Sequence, residues 1–283
     1  MKMLKEALTV LTGETEDSAA LRKLLPRGAV GMKTNCLTGK LNSTPVALVE
    51  ALSGILEDAG WDANNIVVWE RTNRELQKAG FKLNASSFGR RCLGTDANGV
   101  GYSARFYSAG ESSSLVSRIL EKVVAGNINM PVLKDHSIAG LSGGLKNMFG
   151  AINNPNKFHD NNGDPHVAEV SMMSPIRLKS RLTVMDAVQV QYHNGPGYDQ
   201  RFLVRYGAVI LSDDPVAADQ VGLEIVEWLR NKGGLPNLAE AGRPATYLQT
   251  AEKLGLGVAT MSDIDLKVLV VDDKGRVRPG ELL

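Results

Sequence analysis

Cysteine is scarce in this chain of 283 residues: Cys36 and Cys92 stand alone, neither with a C-x-x-C partner. That excludes an iron–sulfur cluster or a zinc ribbon built on cysteines, and leaves open whether the two thiols pair or stay free. An excess of charge of one sign is equally lacking, since 32 Lys and Arg offset 31 Asp and Glu to a formal net of +1. A chain so balanced has no electrostatic footprint for nucleic acid or an anionic membrane, so a charged ligand must be met by local residues. No apolar run approaches the roughly 20 residues of a membrane span. The opening MKMLKEALTVLTGETEDSA breaks its short apolar patch with Lys5 and Glu6, which makes a poor signal peptide. The default expectation is a cytoplasmic protein, or an exported one if a targeting segment has been removed. Internal repeats and low-complexity linkers are absent too.

What is present is a rhythm. Short β-rich runs alternate with helical patterns: AVGMKTN (29–35), a helix over PVALVEALSGILEDAG (45–60), NIVVWE (65–70), then a helix at RELQKAGF. Thr44 or Ser43 would cap the first long helix, with Pro45 in its first turn. Further on, SSLVSRILEKVVAG reads as a helix, INMPVL, LTVMDAV (182–188) and GAVILS (207–212) as strands, PVAADQVGLEIVEWLR (215–230) as a long helix, and LKVLVV (266–271) as a closing strand. Alternation of this kind predicts an α/β fold: a largely parallel or mixed sheet with helices on both faces. The Asn-rich stretch between Asn147 and Ser171 is longer than an ordinary connection, and is expected to lie as an irregular loop over the C-terminal strand ends. The expectation is one α/β domain over residues 1–283, with residues 134–200 as a candidate ligand-binding lobe.

The polar stretch KDHSIAGLSGGLKNMFG (134–150) is the sharpest chemical signal. Gly143 and Gly144 let the backbone turn tightly at the entrance of a short helix, whose N–H groups would hold an anion, with Lys146 adding a positive charge and Ser142 and Asn147 flanking it. It is not a Walker loop, because Asn147 follows the lysine where Ser or Thr is required. A plain glycine turn with a surface lysine would have the same sequence. All four histidines, His136, His159, His166 and His193, fall between residues 136 and 193. Clustering of the side chain that titrates near neutrality points to acid–base or metal work. In HDNNGDPH, His159 and His166 flank Asp160 and Asp164 and could serve a divalent metal, although a solvated polar loop accounts for the stretch equally simply.

Other polar residues stand where α/β sheets bind ligands, at strand ends. Lys33 and Asn35 end the first strand. Asp186 lies in LTVMDAV and is either a loop anchor or a site residue. Ser212, Asp213 and Asp214 precede a helix at Pro215, where capping is the simpler role. HNGPG (193–197) reads as a turn.

Taken in order, VGMKTNCLTGKLNSTPVALVEAL, KDHSIAGLSGGLKNMFGAI, LTVMDAV, NGPG and SDDPVAAD resemble the domain-of-unknown-function family numbered 362, over about residues 28–230. Some members of that family carry ferredoxin-type modules, but this chain lacks the cysteines for a cluster. The pattern H-x-x-x-G-x-S-G-G-x-K is also similar to the N-terminal half of the nickel-pincer lactate racemases. That resemblance implies a histidine acid/base at His136, a lysine at Lys146 bearing a pincer-type nucleotide-derived cofactor, and a nickel ligand at His159 or His166. Ser43-Thr44-Pro45 resembles that family's Thr-Pro helix opening, and Arg71-Thr72-Asn73-Arg74 its Gly-Thr-His-Arg element. The second catalytic histidine of a racemase would fall on Asn73, and asparagine exchanges no proton near neutral pH, so two-base racemisation is not expected. The arginine expected before Thr-Pro is replaced by Lys40 and Asn42 nearby.

The function these residues point to is a cofactor- or metal-dependent enzyme acting on a small molecule with a carboxylate or phosphate. His136 would be the acid or base, Lys146 the anion holder or covalent attachment point, and His159 or His166 the metal ligand. The competing expectation is a non-catalytic carrier of a metal or cofactor that uses the same pocket.

Overall fold

The computed structural model describes all of residues 1–283. The chain opens with α1 (Lys2–Thr12) and α2 (Asp17–Leu24), then runs β1 (Val30–Lys33), α3 (Val46–Asp58), β2 (Ile66–Glu70), α4 (Asn73–Ala79), β3 (Arg91–Gly94), and a small hairpin of β4 (Tyr107–Ala109) and β5 (Ser112–Ser114). There follow β6 (Gly126–Asn129), β7 (Val132–His136), β8 (Gly140–Ser142), and the short helices α5 (Gly144–Asn147), α6 (His166–Met172) and α7 (Ser174–Arg177). The long strands β9 (Ser180–Gln191) and β10 (Leu203–Ser212) come next. The chain ends with α8 (Pro215–Lys232), α9 (Tyr247–Lys253) and a second small hairpin, β11 (Leu269–Val271) with β12 (Val277–Pro279).

The main sheet has eight strands and is mostly parallel. β3, β2, β1 and β6 lie side by side in parallel, β6 and β7 both run parallel to β9, and β8 and β10 are the antiparallel members. Alternation along β2 shows why both faces are covered. Ile66 and Val68 enter a core of 23 buried residues packed by α1–α4, while Val67 and Trp69 enter one of 37 packed by α6, α8 and α9. A strand buried on both faces reads as a continuous apolar run, which is the pattern of NIVVWE.

INMPVL is not a single strand. β6 and β7 lie end to end along one edge of β9, Asn129 opposite Thr183 and Val132 opposite Asp186, with Met130–Pro131 as the break. Pro131 has no N–H for a ladder, but its carbonyl accepts from Asp186 N at 2.9 Å. β7 therefore runs on past the end of β1, and β8 folds back against its far part. The C-terminal ends of β1, β2 and β7 open at this step.

Several other expectations are corrected. The helix expected over residues 113–126 reduces to one five-residue turn of π type at Ile119–Val123, because the serines before it pair in the β4–β5 hairpin. Neither Ser43 nor Thr44 caps α3. Pro45 takes the N-cap position, while the Thr44 hydroxyl donates to Met130 O at 2.6 Å and accepts from Asn35 N at 2.8 Å, tying the loop after β1 to the strand break. LKVLVV contributes only Leu269–Val271, paired in the C-terminal hairpin outside the main sheet.

Candidate functional site

A cavity of about 260 Å³ sits at the C-terminal ends of β1, β2 and β7, roofed by the irregular residues after α5. Its floor is a hydrogen-bonded polar network. Lys33 is fully buried and donates to Glu70 Oε1 at 2.7 Å and Thr34 O at 2.6 Å, and Asn147 Oδ1 lies 3.4 Å from the same amine. Glu70 also accepts from the Arg71 and Cys36 amides. Burial pushes the Glu70 carboxyl up, against the opposing pull of Lys33. Asn147 continues the network to Asn35 at 3.2 Å and Asn129 at 2.8 Å. Every donor of Lys33 is used internally, so it sets the floor rather than meeting a ligand.

Lys134 is different. Its amine is wholly buried, and its partners are neutral oxygens, Asn35 Oδ1 at 3.2 Å and Asn42 O at 3.3 Å. Burial lowers its pKa to about 8. His136 lies two residues on along β7 and lines the same cavity. Its Nδ1 accepts from the amides of Ile138 and Ala139, both at 3.1 Å. Burial, then the Lys146 charge, lowers its pKa to about 3. The imidazole is therefore neutral, with its proton on Nε2, the nitrogen left for the cavity. Such a ring is a hydrogen-bond donor at neutral pH.

Lys146 extends from α5 into the cavity. Its Nζ lies 3.0 Å from His159 Nε2 and 3.8 Å from the centre of the Phe149 ring. No carboxylate pairs with it, and burial lowers its pKa to about 7. His159 Nδ1 is 3.3 Å from the Asn156 carbonyl, which can only accept, so Nδ1 carries the proton and Nε2 presents its lone pair to Lys146. The His159 ring is stacked 5.7 Å from that of His136 and stands edge-on to Phe149 at 5.6 Å. His136, Lys146 and His159, all clustered in sequence, are thus brought together. Lys33, Asn35, Ser142, Gly143 and Asn147 also line this cavity.

The glycine turn does not hold an external anion as expected. Asp219 of α8, fully buried, accepts from Gly144 N at 2.5 Å and Leu145 N at 3.0 Å. Burial raises its pKa to about 7, against the pull of these two amides. The acceptor at this helix start is internal, and Gly143 is needed for its close approach, since a Cβ there would stand 2.3 Å from Asp219 Oδ1. Gly143→Ala is expected to lower stability by about 1–3 kcal/mol. Gly197→Ala, where a Cβ meets nothing within 4 Å, should be near neutral; equal melting temperatures for the two variants would refute this account of the turn.

The remaining expected residues lie elsewhere. His166 is outside the cavity: its Nδ1 is 2.9 Å from Ser112 Oγ, and that hydroxyl donates to Glu169 Oε2 at 2.8 Å. Asp214 caps α8 through Val216 N and Ala217 N, and Asp213 is exposed beside it, so capping is the role the structure shows. Asp186 anchors Val188 N at 3.0 Å from a buried position. His193 packs against Phe202 and lies near Arg230 and Arg243. Cys36 and Cys92 are free, buried thiols. No three His, Cys, Asp or Glu side chains gather as a metal site.

Sequence reasoning passed over Lys134, Glu70, Asn156 and Asp219. The first two had signals: Lys134 shares the face of His136 at a spacing of two on a strand, and Glu70 ends an apolar strand just as Asp186 interrupts one. Asp219 closes the SDDPVAAD motif, but a carboxylate inside a helical pattern gives no sign of which amides it will meet.

Residues 30–224 match the model of a family described as Domain of unknown function (DUF362). No curated protein matches the chain. Among solved structures, a Thermotoga maritima protein from the Northeast Structural Genomics Consortium is similar at 14% identity, with a TM-score of 0.45, covering 77% of this chain and 57% of that one. The chain thus spans a little over half the length of that protein.

Proposed function

The chain belongs to the DUF362 family, and from its cavity we propose that it is an enzyme acting on a small anionic molecule that bears a carboxylate or phosphate. One observation carries this reading. Two lysine amines without carboxylate partners, Lys134 and Lys146, open with His136 and His159 into one cavity at the strand ends. Removing an ammonium from water without a counterion is costly, and an anionic ligand offsets that cost for both. Lys134 is the anchoring charge. Lys146, with His159 as its hydrogen-bond acceptor, is the group that exchanges a proton, and His136 donates to a ligand oxygen.

A pincer-type cofactor carrying nickel would find Lys146 as an attachment point and His159 as one imidazole ligand, and would have to bring its other donors. A bare divalent ion, which catalytic zinc sites hold with three protein ligands, does not fit these residues.

Calorimetric titration with pyruvate, 2-hydroxybutyrate and inorganic phosphate tests the reading. At least one should bind, and the affinity should fall about ten-fold or more between about pH 6 and about pH 9 as the two amines lose their protons, each lost attraction being on the order of 1.4 kcal/mol. Lys134→Met should abolish the binding. Absence of binding by all three, or an affinity indifferent to pH and to Lys134, would sink the proposal.

A further inference from the structure

We infer that Lys146 is a nucleophile that forms an imine with a carbonyl compound carrying an anionic group, a 2-oxo acid being the simplest class. The inference rests on the anion-binding reading above and extends it to a covalent step. Its ground is the line Lys146 Nζ, His159 Nε2, His159 Nδ1, Asn156 O, at 3.0 and 3.3 Å. An amine within hydrogen-bond reach of a base, with that base oriented by a third group, is the arrangement of an activated nucleophile. Because the Asn156 carbonyl fixes the tautomer, the imidazole accepts from the amine rather than donating to it. The amine is free of any carboxylate that would hold it protonated.

The remaining cavity groups fit the other partner of the reaction. His136, held neutral with Nδ1 on two backbone amides, has Nε2–H to donate to a carbonyl oxygen. A neutral imidazole polarises a carbonyl without surrendering its proton. Lys134 supplies the charge for the neighbouring carboxylate.

The step balances without a further reactant. The Nζ lone pair attacks the carbonyl carbon, forming the C–N bond while the π electrons move to oxygen. A proton leaves Nζ for His159 Nε2 and is passed to that oxygen, giving a carbinolamine. Loss of the second Nζ proton and departure of the oxygen as water leave the C=N bond. Nothing is oxidised or reduced.

Reductive trapping tests this on the full-length protein. With pyruvate and sodium cyanoborohydride near neutral pH, the intact mass should rise by one reduced pyruvate adduct, and peptide mapping should place it on Lys146. Acetone, which lacks the anion, should label at least ten-fold more slowly. Propionate, which lacks the carbonyl, should protect. Lys146→Arg should lose the adduct while keeping its melting transition, and His159→Gln should slow trapping ten-fold or more while pyruvate still binds. If pyruvate binds by calorimetry yet no adduct forms at Lys146, the imine is refuted and the anion site stands; if neither binding nor an adduct is found, both fall. An adduct spread over other lysines, or one unaffected by His159→Gln, would also overturn the inference.

Discussion

Glu70→Ala should destabilise the protein by about 3–5 kcal/mol, the usual cost of leaving one member of a buried ion pair without its partner. Lys33 and Glu70 are 1% and 6% exposed at the side chain, so the stranded ammonium would have no water to turn to. Lys33 would keep only Thr34 O and Asn147 Oδ1, and the amides of Cys36 and Arg71 would lose their acceptor. The double replacement Lys33→Met with Glu70→Leu should recover most of the loss, because a buried pair exchanged for apolar residues of similar volume is often neutral. Urea unfolding of the two single variants and the double variant gives the coupling. A cost below about 1 kcal/mol for Glu70→Ala, the range of exposed pairs, would mean that this floor is open to solvent.

The second large effect has the opposite sign. Lys146→Met should stabilise the fold, and the gain should depend on pH. The Lys146 pKa in the folded chain, about 7, lies below its ordinary value of 10.5. Below pH 7 both folded and unfolded chains carry the proton, and the folded state bears the full cost of a desolvated charge. Between pH 7 and 10.5 the unfolded state binds more protons, so the stability of the parent protein climbs with pH and the cost disappears. The variant should therefore be more stable by about 1–3 kcal/mol at and below neutral pH, discounting for the half-buried stem, and the advantage should be gone near pH 10. Melting temperatures at pH 6 and pH 10 decide it. A constant difference would show that the amine is solvated in the folded protein. A residue that costs stability where it stands is one retained for something other than the fold.

Both effects come from residues whose placement was unequally legible. The strands around NIVVWE, LTVMDAV and GAVILS could be read because short β-rich, mostly apolar runs bounded by polar residues admit few other structures, and α8 because its period and Asp214 cap agree. The glycine turn and Lys146 were recognisable as local chemistry. What could not be read was pairing between distant segments. Asp219 lies 75 residues from Gly144, and only the packing of α8 against the sheet brings its carboxylate to that amide. The same limit made His159 and His166 look like partners. A turn at Asn161–Gly163 and the start of α6 send them apart, one to Lys146 and the other to Ser112. INMPVL failed for a different reason: the proline does interrupt the run, and the two pieces read as one strand because both pair along the same edge of β9.

The carboxylate of Asp219 ties the loop that carries Lys146 to an 18-residue helix packed deep in the larger core. The amine's reach is therefore set from outside the cavity. Val216 and Val221, which line no part of the cavity, pack in the same core as Leu145, the residue before Lys146, so a shift of that helix would move the amine; if Lys146 is the nucleophile inferred above, a misplacement of an ångström should cost about a hundred-fold in rate.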